Sequence, residues 1–254
     1  MADNNIKGRL ALITGASGGI GAACARDLAI HGSHLALTYS KNKNALLDVV
    51  SEIRALTPET SQLRISIHQV DVSQVNQITR MFDEIRDQHH THIDILVSNA
   101  GYGKRIVNIW EIPLEEFEYT INVNLRASFV LVKGIIEGMK AQRWGRIIFI
   151  SSIAAQGGGI NGCHYAASKG GLSGMMRNLA TTLVPFNISV NDVAPALIGD
   201  TGMVKSSDVV PGGVGTIPLG RLGTPQEVAN VVTMYATTGY VTGQKLNSLP
   251  QTFV

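Results

Sequence analysis

The sequence predicts an α/β fold: a doubly wound parallel sheet with helices on both faces, in a single domain. Three observations predict it. Short runs rich in Val, Ile and Leu alternate with longer segments of helical periodicity. Most of the short runs are almost continuously apolar, as expected of strands buried on both faces of a parallel sheet. The 254 residues suit one large domain and contain no repeat, linker or low-complexity tract that would divide them.

The predicted elements follow one another in a regular order. The six strands are Leu10–Thr14, Leu35–Tyr39, Ile65–Val70, Ile93–Ser98, Arg146–Ile150 and Ile188–Val193. The helices between and after them are Ile20–Ile30, Asn44–Leu56, Val75–Gln88, Leu114–Ala141, Tyr165–Val184 and Gln226–Thr237. The longest stretch without a regular pattern is 194–219. Because long loops in compact domains are usually functional, we predict a substrate loop there.

Composition excludes several classes of protein. Hydrophobic residues make up 44% and charged residues 16%, which is too apolar for a disordered chain. The net charge of +2 is smaller than the basic excess of a protein that binds nucleic acid through its phosphates. We find no secretory signal and no membrane span, and the two cysteines, Cys24 and Cys163, are too few for a disulfide scaffold. These features predict a cytoplasmic protein with no nucleic-acid or membrane partner.

A glycine-rich turn follows the first strand. Its residues 14–21 read Thr-Gly-Ala-Ser-Gly-Gly-Ile-Gly, and a predicted helix begins within them. Glycines there allow the backbone to approach a pyrophosphate, and the helix N-terminus supplies amide donors. The turn therefore predicts a dinucleotide site at Gly15, Ser17, Gly19, Ile20 and Gly21. An ordinary strand-to-helix turn is the simpler alternative.

The same residues also match the G-x-S-x-G elbow of serine hydrolases, with Ser17 as the nucleophile. A hydrolase elbow needs earlier strands, because a loop from them supplies part of the oxyanion hole. Here the turn follows the first strand, which disfavours the hydrolase.

Tyr165 and Lys169 are spaced i, i+4 in one predicted helix, so their side chains share a face. A nearby ammonium lowers the pKa of a phenol, which suits Tyr165 to act as a general acid or base. Ser152, after the fifth strand, can donate a hydrogen bond to a substrate oxygen as charge develops there. The simpler alternatives are a chance Tyr–Lys pair and a serine that caps a strand.

Together these motifs resemble the short-chain dehydrogenase/reductase family, in particular its 3-oxoacyl-acyl-carrier-protein-reductase-like members. The resemblance covers about Gly8 to Asn247. At the family's spacing it comprises Thr14-Gly15-x-x-x-Gly19-x-Gly21, Asn99-Ala100-Gly101, Asn124, Ser152 and Tyr165-Ala166-Ala167-Ser168-Lys169. It implies a Rossmann-type fold, a nicotinamide cofactor and the interconversion of a carbonyl and a secondary alcohol. The substrate implied is a small molecule.

The resemblance also implies individual roles. Asn124 would hold a water that relays protons to Lys169, and Lys169 would hold the nicotinamide ribose. The remaining cofactor contacts would be Asp71 at the adenine, Val72 beside it, Asn99, Ala100 and Gly101 beneath the cofactor, and Pro195 and Ile198 at the nicotinamide. For Asp71, electrostatics at the start of the following helix is an alternative.

The end of the second strand predicts which dinucleotide binds. Enzymes that prefer NAD place an acidic residue there, about 20 residues after the glycine turn. This chain has Tyr39, Ser40 and Lys41 instead, with Lys43 close behind. A serine hydroxyl and a lysine suit a 2′-phosphate, which predicts NADP(H). Many NADP-using relatives carry Arg where this chain has Gly18.

Two further expectations concern metal and substrate. His89, His90 and His92 lack the spacing of a zinc site, so we expect a solvated turn and no metal. A carrier-bound acyl substrate would want a basic docking patch, for which Arg143 and Arg146 are candidates.

Glycines in the catalytic helix indicate close approach of another helix, and relatives pack this helix against a second subunit, so we expect a homo-oligomer, a dimer or tetramer. The residues after Asn247 depart from the Gly-Gly ending of relatives.

A cofactor-sensing protein without turnover is the alternative function from another class.

Overall fold

The computed structural model describes residues 4–57, 62–157, 159–204, 206, 208, 210 and 212–247. Within them, one sheet of parallel strands runs in the order β3-β2-β1-β4-β5-β6-β7. Its strands are β1 (Leu10–Ile13), β2 (His34–Tyr39), β3 (Ile65–Gln69), β4 (Ile95–Ser98), β5 (Gly145–Ile150), β6 (Ile188–Ala194) and β7 (Lys245–Asn247). The predicted doubly wound α/β fold in a single domain is confirmed.

Helices connect the strands. They are α1 (Gly19–Ile30), α2 (Lys43–Leu56), α3 (Val75–His89), α4 (Leu114–Ile121), α5 (Ala127–Gln142), α6 (Ala154–Gly157), α7 (Cys163–Leu183) and α8 (Pro225–Thr237). None of the helices in the described ranges has the length and apolar composition that crossing a bilayer requires.

The core consists of two apolar layers, one on each face of the sheet. Ala11 and Ile13 of β1 pack with residues of α1, α2 and α8. Leu10 and Leu12 point to the opposite face, where they pack with residues of α3, α5 and α7. Because side chains alternate along a strand, a strand covered on both faces must be apolar at every position. This explains the continuous apolar runs in the sequence.

The strand order reverses next to β1. Leu12 pairs with Ala36 of β2 on one side and with Leu96 of β4 on the other, although β3 lies between β2 and β4 in the chain. In open parallel sheets, ligands bind at such a switch point, beyond the carboxyl ends of the strands. The switch point therefore places the candidate site at the ends of β1, β4, β5 and β6.

The structure departs from the predicted elements in three places. The single helix predicted over Leu114–Ala141 is divided into α4 and α5 by a π-helical turn at Asn122–Arg126. The strand β7 and the short helix α6 were not predicted. The strand has only three residues, Lys245-Leu246-Asn247, so its pattern is too short and polar to recognise.

One glycine of α7 has a role within the chain. A Cβ on Gly171 would lie 2.6 Å from Leu125 Cδ2, so the absent side chain lets the π-helical turn pack against α7. No heavy atom lies within 4 Å of a Cβ on Gly174. Gly171 is therefore explained without a second subunit, and the homo-oligomer stays a prediction.

Candidate active site

The glycine-rich turn has the backbone geometry of a phosphate cradle. Gly15 and Gly19 have φ angles of +66° and +52°, which favour glycine. A Cβ on Gly21 would collide with the carbonyl oxygen of Gly15. The first turn of α1 presents its amides beyond this cradle, and Ser17 and Ile20 lie beside it, partly exposed. The residues present therefore fit the pyrophosphate of a dinucleotide.

Hydrogen bonds attach this turn to the neighbouring strand β4. Thr14 Oγ1 accepts bonds from the backbone N–H groups of Asn99 and Ala100, at 3.0 and 2.9 Å. Asn99 Nδ2 donates to the carbonyl oxygens of Thr14 and Gly15, at 2.8 and 3.2 Å. Asn99, Ala100 and Gly101 thus form the floor beside the turn.

The end of β2 borders the glycine turn. Tyr39 is buried, whereas the side chains of Ser40 and Lys41 are exposed. Thr38 fixes this end of the strand to the glycine turn, because its Oγ1 accepts from Gly15 N at 3.1 Å. The hydroxyl of Ser40 and the ammonium of Lys41 are therefore exposed to solvent close to the turn.

Asp71 follows β3 and has a local structural role. Its Oδ1 accepts a hydrogen bond from Ser73 N at 3.0 Å, just before α3 begins, and Val72 beside it is buried. Asp71 therefore acts at the start of α3, as the alternative interpretation of this residue expects. A contact of Asp71 with adenine stays a prediction.

The hydroxyl of Ser152 lies near the phenol of Tyr165, and its Oγ donates to the carbonyl oxygen of Pro195 at 3.4 Å and accepts from Ala154 N at 3.1 Å. Ser152 follows β5, and Tyr165 lies in the first turn of α7 and is 7% exposed. Burial raises the pKa of Tyr165 above its usual value, and the nearby hydroxyl of Ser152 partly opposes this. The expectation that Lys169 lowers the pKa of Tyr165 is therefore not met by the protein chain alone.

Lys169 lies one turn further along α7, as predicted. Its Nζ is 5.9 Å from the centroid of the Tyr165 ring and donates a hydrogen bond to the carbonyl oxygen of Ile150 at 2.9 Å. Burial lowers the pKa of Lys169 to about 8, and the negative charge of Asp192 acts in the opposite direction. The two side chains share a face, and the hydrogen bond of the ammonium goes to Ile150 and not to the phenol.

Asn124 lies in the π-helical turn and faces the same centre. Its Oδ1 accepts from Tyr102 N and its Nδ2 donates to Tyr102 O, both at 2.8 Å, and Nδ2 also donates to Ser168 Oγ at 3.0 Å. A Cβ on Gly101 would be 3.4 Å from Lys169 Nζ and 3.5 Å from Asn124 Oδ1. Gly101 thus marks the place where Asn124 and Lys169 converge.

The segment after β6 crosses both halves of the site. The carbonyl oxygen of Pro195 accepts from Ile153 N at 3.1 Å, and Ile198 is buried and pairs with Gly223. A Cβ on Gly19 would lie 3.1 Å from Thr201 Cγ2, and one on Gly103 would lie 3.4 Å from Met203 Sδ. Of the predicted substrate loop 194–219, positions 205, 207, 209 and 211 lie outside the described residues.

Sequence reasoning did not identify Thr201 and Met203 as site residues. Gly103 connects Met203 to Tyr165, because its Cβ would also lie 3.2 Å from Tyr165 Cε2. The one available signal was the position of Thr201 and Met203 inside the irregular segment after β6.

His164 holds the loop that follows β4. It is fully buried, and its Nε2 lies 3.1 Å from the carbonyl oxygen of Lys104. Beside it, Ile106 N donates to Asn161 O at 3.2 Å. His164 therefore positions a wall of the site through Nε2, while its Nδ1 is buried without a hydrogen-bond partner among the described residues.

The interpretation of the histidines near β4 as a solvated turn is wrong for His89. This residue is buried in the last turn of α3, and its Nε2 lies 2.8 Å from Ser66 Oγ. Ser66 Oγ lies 2.7 Å from His68 Nε2, and His68 Nδ1 lies 2.8 Å from Glu84 Oε2. The side chains thus form a chain of hydrogen bonds between β3 and α3 that is buried at the two histidines and Ser66 and partly exposed at Glu84.

Comparison with known proteins identifies this arrangement. The family model described as short chain dehydrogenase matches residues 9–209. The chain belongs to the short-chain dehydrogenase family. Family membership makes it an oxidoreductase and implies a nicotinamide cofactor, so the serine-hydrolase alternative built on Ser17 is set aside.

Several curated relatives are similar over nearly their whole length. The 3-oxoacyl-[acyl-carrier-protein] reductase FabG of Aquifex aeolicus (strain VF5) is 34% identical, covering 95% of this chain and 96% of the relative. The protein of the same name from Rickettsia bellii (strain RML369-C) is 35% identical, and the one from Escherichia coli (strain K12) is 34% identical. Each of these two alignments covers 96% of both chains. The resemblance stated from the motifs is confirmed.

Proposed function

We propose that this short-chain dehydrogenase reduces ketones or 3-oxoacyl groups with NADPH, with Tyr165 as the proton donor. The observation that carries the proposal is the placement of the buried Tyr165 phenol near the Ser152 hydroxyl and one helical turn from buried Lys169, at the edge of the sheet that also bears the glycine turn. The three relatives, each a 3-oxoacyl-[acyl-carrier-protein] reductase by name, support the same reaction type.

The dinucleotide, when bound, supplies the hydride that adds to the carbonyl carbon. The chain's own residues supply the proton and stabilise charge. Ser152 donates a hydrogen bond to the carbonyl oxygen as negative charge grows there, and Tyr165 transfers its phenolic proton to that oxygen. Because burial raises the pKa of Tyr165, the phenol is protonated at neutral pH and is ready to act as an acid.

Lys169 completes the proton transfer. The phenolate left on Tyr165 is buried, and a buried anion needs a nearby positive charge. The ammonium of Lys169 lies on the same face of α7 and supplies that charge. Asn124 lies beside Lys169 and can hold the water that returns a proton to it. The set of four residues disfavours a cofactor sensor, which needs no proton donor.

NADP(H) preference rests on the exposed end of β2. Ser40 and Lys41 can contact a 2′-phosphate, and no acidic side chain stands at this position to repel it. Gly18 has no neighbour within 4 Å of its Cβ position, so the phosphate side of the turn is open. Binding would also use Tyr39, Asp71, Val72, Pro195 and Ile198, as predicted from the family.

The substrate is a small carbonyl compound or a thioester. Arg146, a candidate for carrier docking, does not serve that role, because it is buried and its guanidinium lies 4.2 Å from the centroid of the Trp144 ring. Arg143 donates to the carbonyl oxygen of Pro185. One exposed arginine is a weak site for an acidic carrier. The cytoplasmic location and the dimer or tetramer stay predictions.

The test is a spectrophotometric assay of NADPH oxidation with β-ketoacyl thioesters, cyclic ketones and quinones, each repeated with NADH. We expect turnover of at least one substrate class and a higher kcat/KM with NADPH. Comparison of a coenzyme A thioester with its carrier-bound form measures how far a carrier matters. Absence of turnover across all three classes, together with tight NADPH binding, would favour the sensor.

A further inference from the structure

A second buried polar cluster lies behind the proposed catalytic pair, on the same face of α7. Tyr165, Lys169 and Ser173 are spaced by four residues, so they lie one above another along the helix. Ser173 Oγ donates to Asp192 Oδ2 at 2.9 Å and accepts from Lys245 Nζ at 3.2 Å. Asp192 of β6 and Lys245 of β7 are direct partners in the sheet register.

Asp192 has no contact with solvent: it is 0% exposed. A buried carboxylate is costly unless cations and hydrogen-bond donors compensate it. The groups that act on it come from every neighbouring element: Lys169 and Ser173 from α7, Lys245 from β7, Ser151 after β5 and Tyr235 from α8. Arg177, also in α7, acts on Lys245.

Asp192 and Lys169 each stabilise the charged form of the other. Burial raises the pKa of Asp192, whereas the hydrogen bond from Ser173, the nearby hydroxyl of Ser151 and the charges of Lys245 and Lys169 lower it. In return, Asp192 raises the pKa of Lys169, which burial lowers to about 8. Among the described residues, Asp192 is the acidic group whose charge acts on Lys169.

We propose that Asp192 is a positioning residue for the reductase: its buried carboxylate is the counter-charge that keeps Lys169 an ammonium ion held against the carbonyl oxygen of Ile150. Ser173 and Lys245 fix that carboxylate in place. The proposal rests on the proposed function, since it assigns Asp192 a role through Lys169. It also gives the edge strand β7 a part in the site, because Lys245 approaches the catalytic helix from that strand.

The decisive variant is Asp192→Asn, which keeps the shape of the side chain and removes its charge. The titration of Lys169 is followed by NMR on protein labelled at the lysine Cε carbons, and kcat/KM for reduction is measured from pH 6 to 10. We expect the Lys169 titration and the alkaline limb of the pH profile to move together to lower pH, by roughly half a unit or more. An unmoved Lys169 titration would overturn the proposal.

A matched control is Asn191→Ala at the neighbouring position. Asn191 Nδ2 donates to Val241 O, and Asn191 Oδ1 accepts from Gln244 N, so this variant weakens the junction of β6 and β7 without changing the charge near Lys169. A merely structural role for Asp192 predicts that both variants lose stability and leave the pH profile in place. That outcome contradicts the proposal.

A second pair of variants covers the case in which Asp192→Asn does not fold. Lys245→Met is compared with the double variant Lys245→Met/Asp192→Asn. Because both proteins lack the Lys245 ammonium, they differ only in the charge at position 192. The titration of Lys169 must lie at lower pH in the double variant. Because NMR needs no substrate, the titration tests this inference even if the wild-type protein reduces no ketone, which would overturn the proposed function alone.

Discussion

Lys169 donates a hydrogen bond from its Nζ to the carbonyl oxygen of Ile150, the last residue of β5, at 2.9 Å. Strand and helix thus hold the ammonium directly, and its position does not depend on the tyrosine. The phenol of Tyr165 lies near Ser152 and takes no part in this hydrogen bond. The two halves of the proton-transfer machinery can therefore be tested by separate substitutions.

Tyr165→Phe removes the proton donor and leaves the glycine turn intact. We expect reductase kcat to fall by about 10²–10⁴-fold, because that is the range that a positioned general acid contributes. NADPH binding, measured by fluorescence titration, should change little. Turnover close to that of the wild-type protein would mean that another group donates the proton.

The pKa of Lys169 predicts the alkaline limb of the activity profile. The ammonium form is the one that supports the phenolate, and its pKa is about 8. The value of kcat/KM for reduction should therefore be highest below pH 8 and fall above it. Lys169→Arg keeps a positive charge to much higher pH. We expect this variant to turn over more slowly and its kcat/KM to show no decrease above pH 8. A limb that persists in the arginine variant would have another origin.

Lys41→Glu tests the dinucleotide preference. It replaces a candidate phosphate partner by a repelling charge, and loss of one charge-assisted hydrogen bond costs about 1.5–3 kcal/mol. We expect kcat/KM for NADPH to fall by roughly 10–100-fold, with little change for NADH. The control is Lys7→Glu, the same change of charge at an exposed site beside Gly32, which should leave both values near those of the wild-type protein.

Two glycines of the same turn provide a contrast. Gly21→Ala places a Cβ against the carbonyl oxygen of Gly15, whereas Gly18→Ala meets nothing within 4 Å at an extended backbone conformation. We expect Gly21→Ala to weaken NADPH binding by about tenfold or more, since overpacking costs about 1–3 kcal/mol. Gly18→Ala should bind normally. Equal affinities in an equilibrium titration would contradict the described turn.

His89 predicts a loss of stability in acid. Burial, followed by the charge of Arg64, lowers the pKa of His89 from 6.5 to about 4, so the folded state binds a proton less readily than the unfolded chain. The stabilisation that results is present above pH 6.5 and is lost as the pH falls towards 4, on the order of 2 kcal/mol. Urea unfolding at pH 7, 5.5 and 4 measures it.

Two variants distinguish His89 from histidines in general. In His89→Gln, the loss of stability between pH 7 and pH 4 should be smaller than in the wild-type protein. His31→Gln removes an exposed histidine and should leave the pH dependence unchanged. If both variants behave like the wild-type protein, the acid sensitivity does not arise at His89.

Much of the fold could be predicted, because strands buried on both faces leave continuous apolar runs. The six runs from β1 to β6 were found at nearly the observed bounds. The edge strand β7 could not be found. It has only three residues, of which Lys245 and Asn247 are polar, and none of the three is fully buried, so no apolar run marks the strand. The π-helical turn also has no local signal, because its sequence continues the helical pattern of both neighbours.

For the candidate site, the residues of local motifs were predictable and those brought in by tertiary structure were not. Ser152 and Tyr165 are 13 positions apart and meet through the geometry of β5 and α7. Met203 and Thr201 arrive from an irregular segment. Nor did the sequence indicate that Tyr165 is buried deeply enough to have a raised pKa, because burial depends on what covers it.

The π-helical turn at Asn122–Arg126 also limits how this chain can change. Such a turn contains one residue more than a regular helix needs, and each residue advances a helix by about 100°. Deleting a single residue there would rotate α4 relative to α5 by that angle, carrying Asn124 away from its partners. The length of the segment is therefore constrained by the relative orientation of α4 and α5, in addition to the constraint on Asn124 itself.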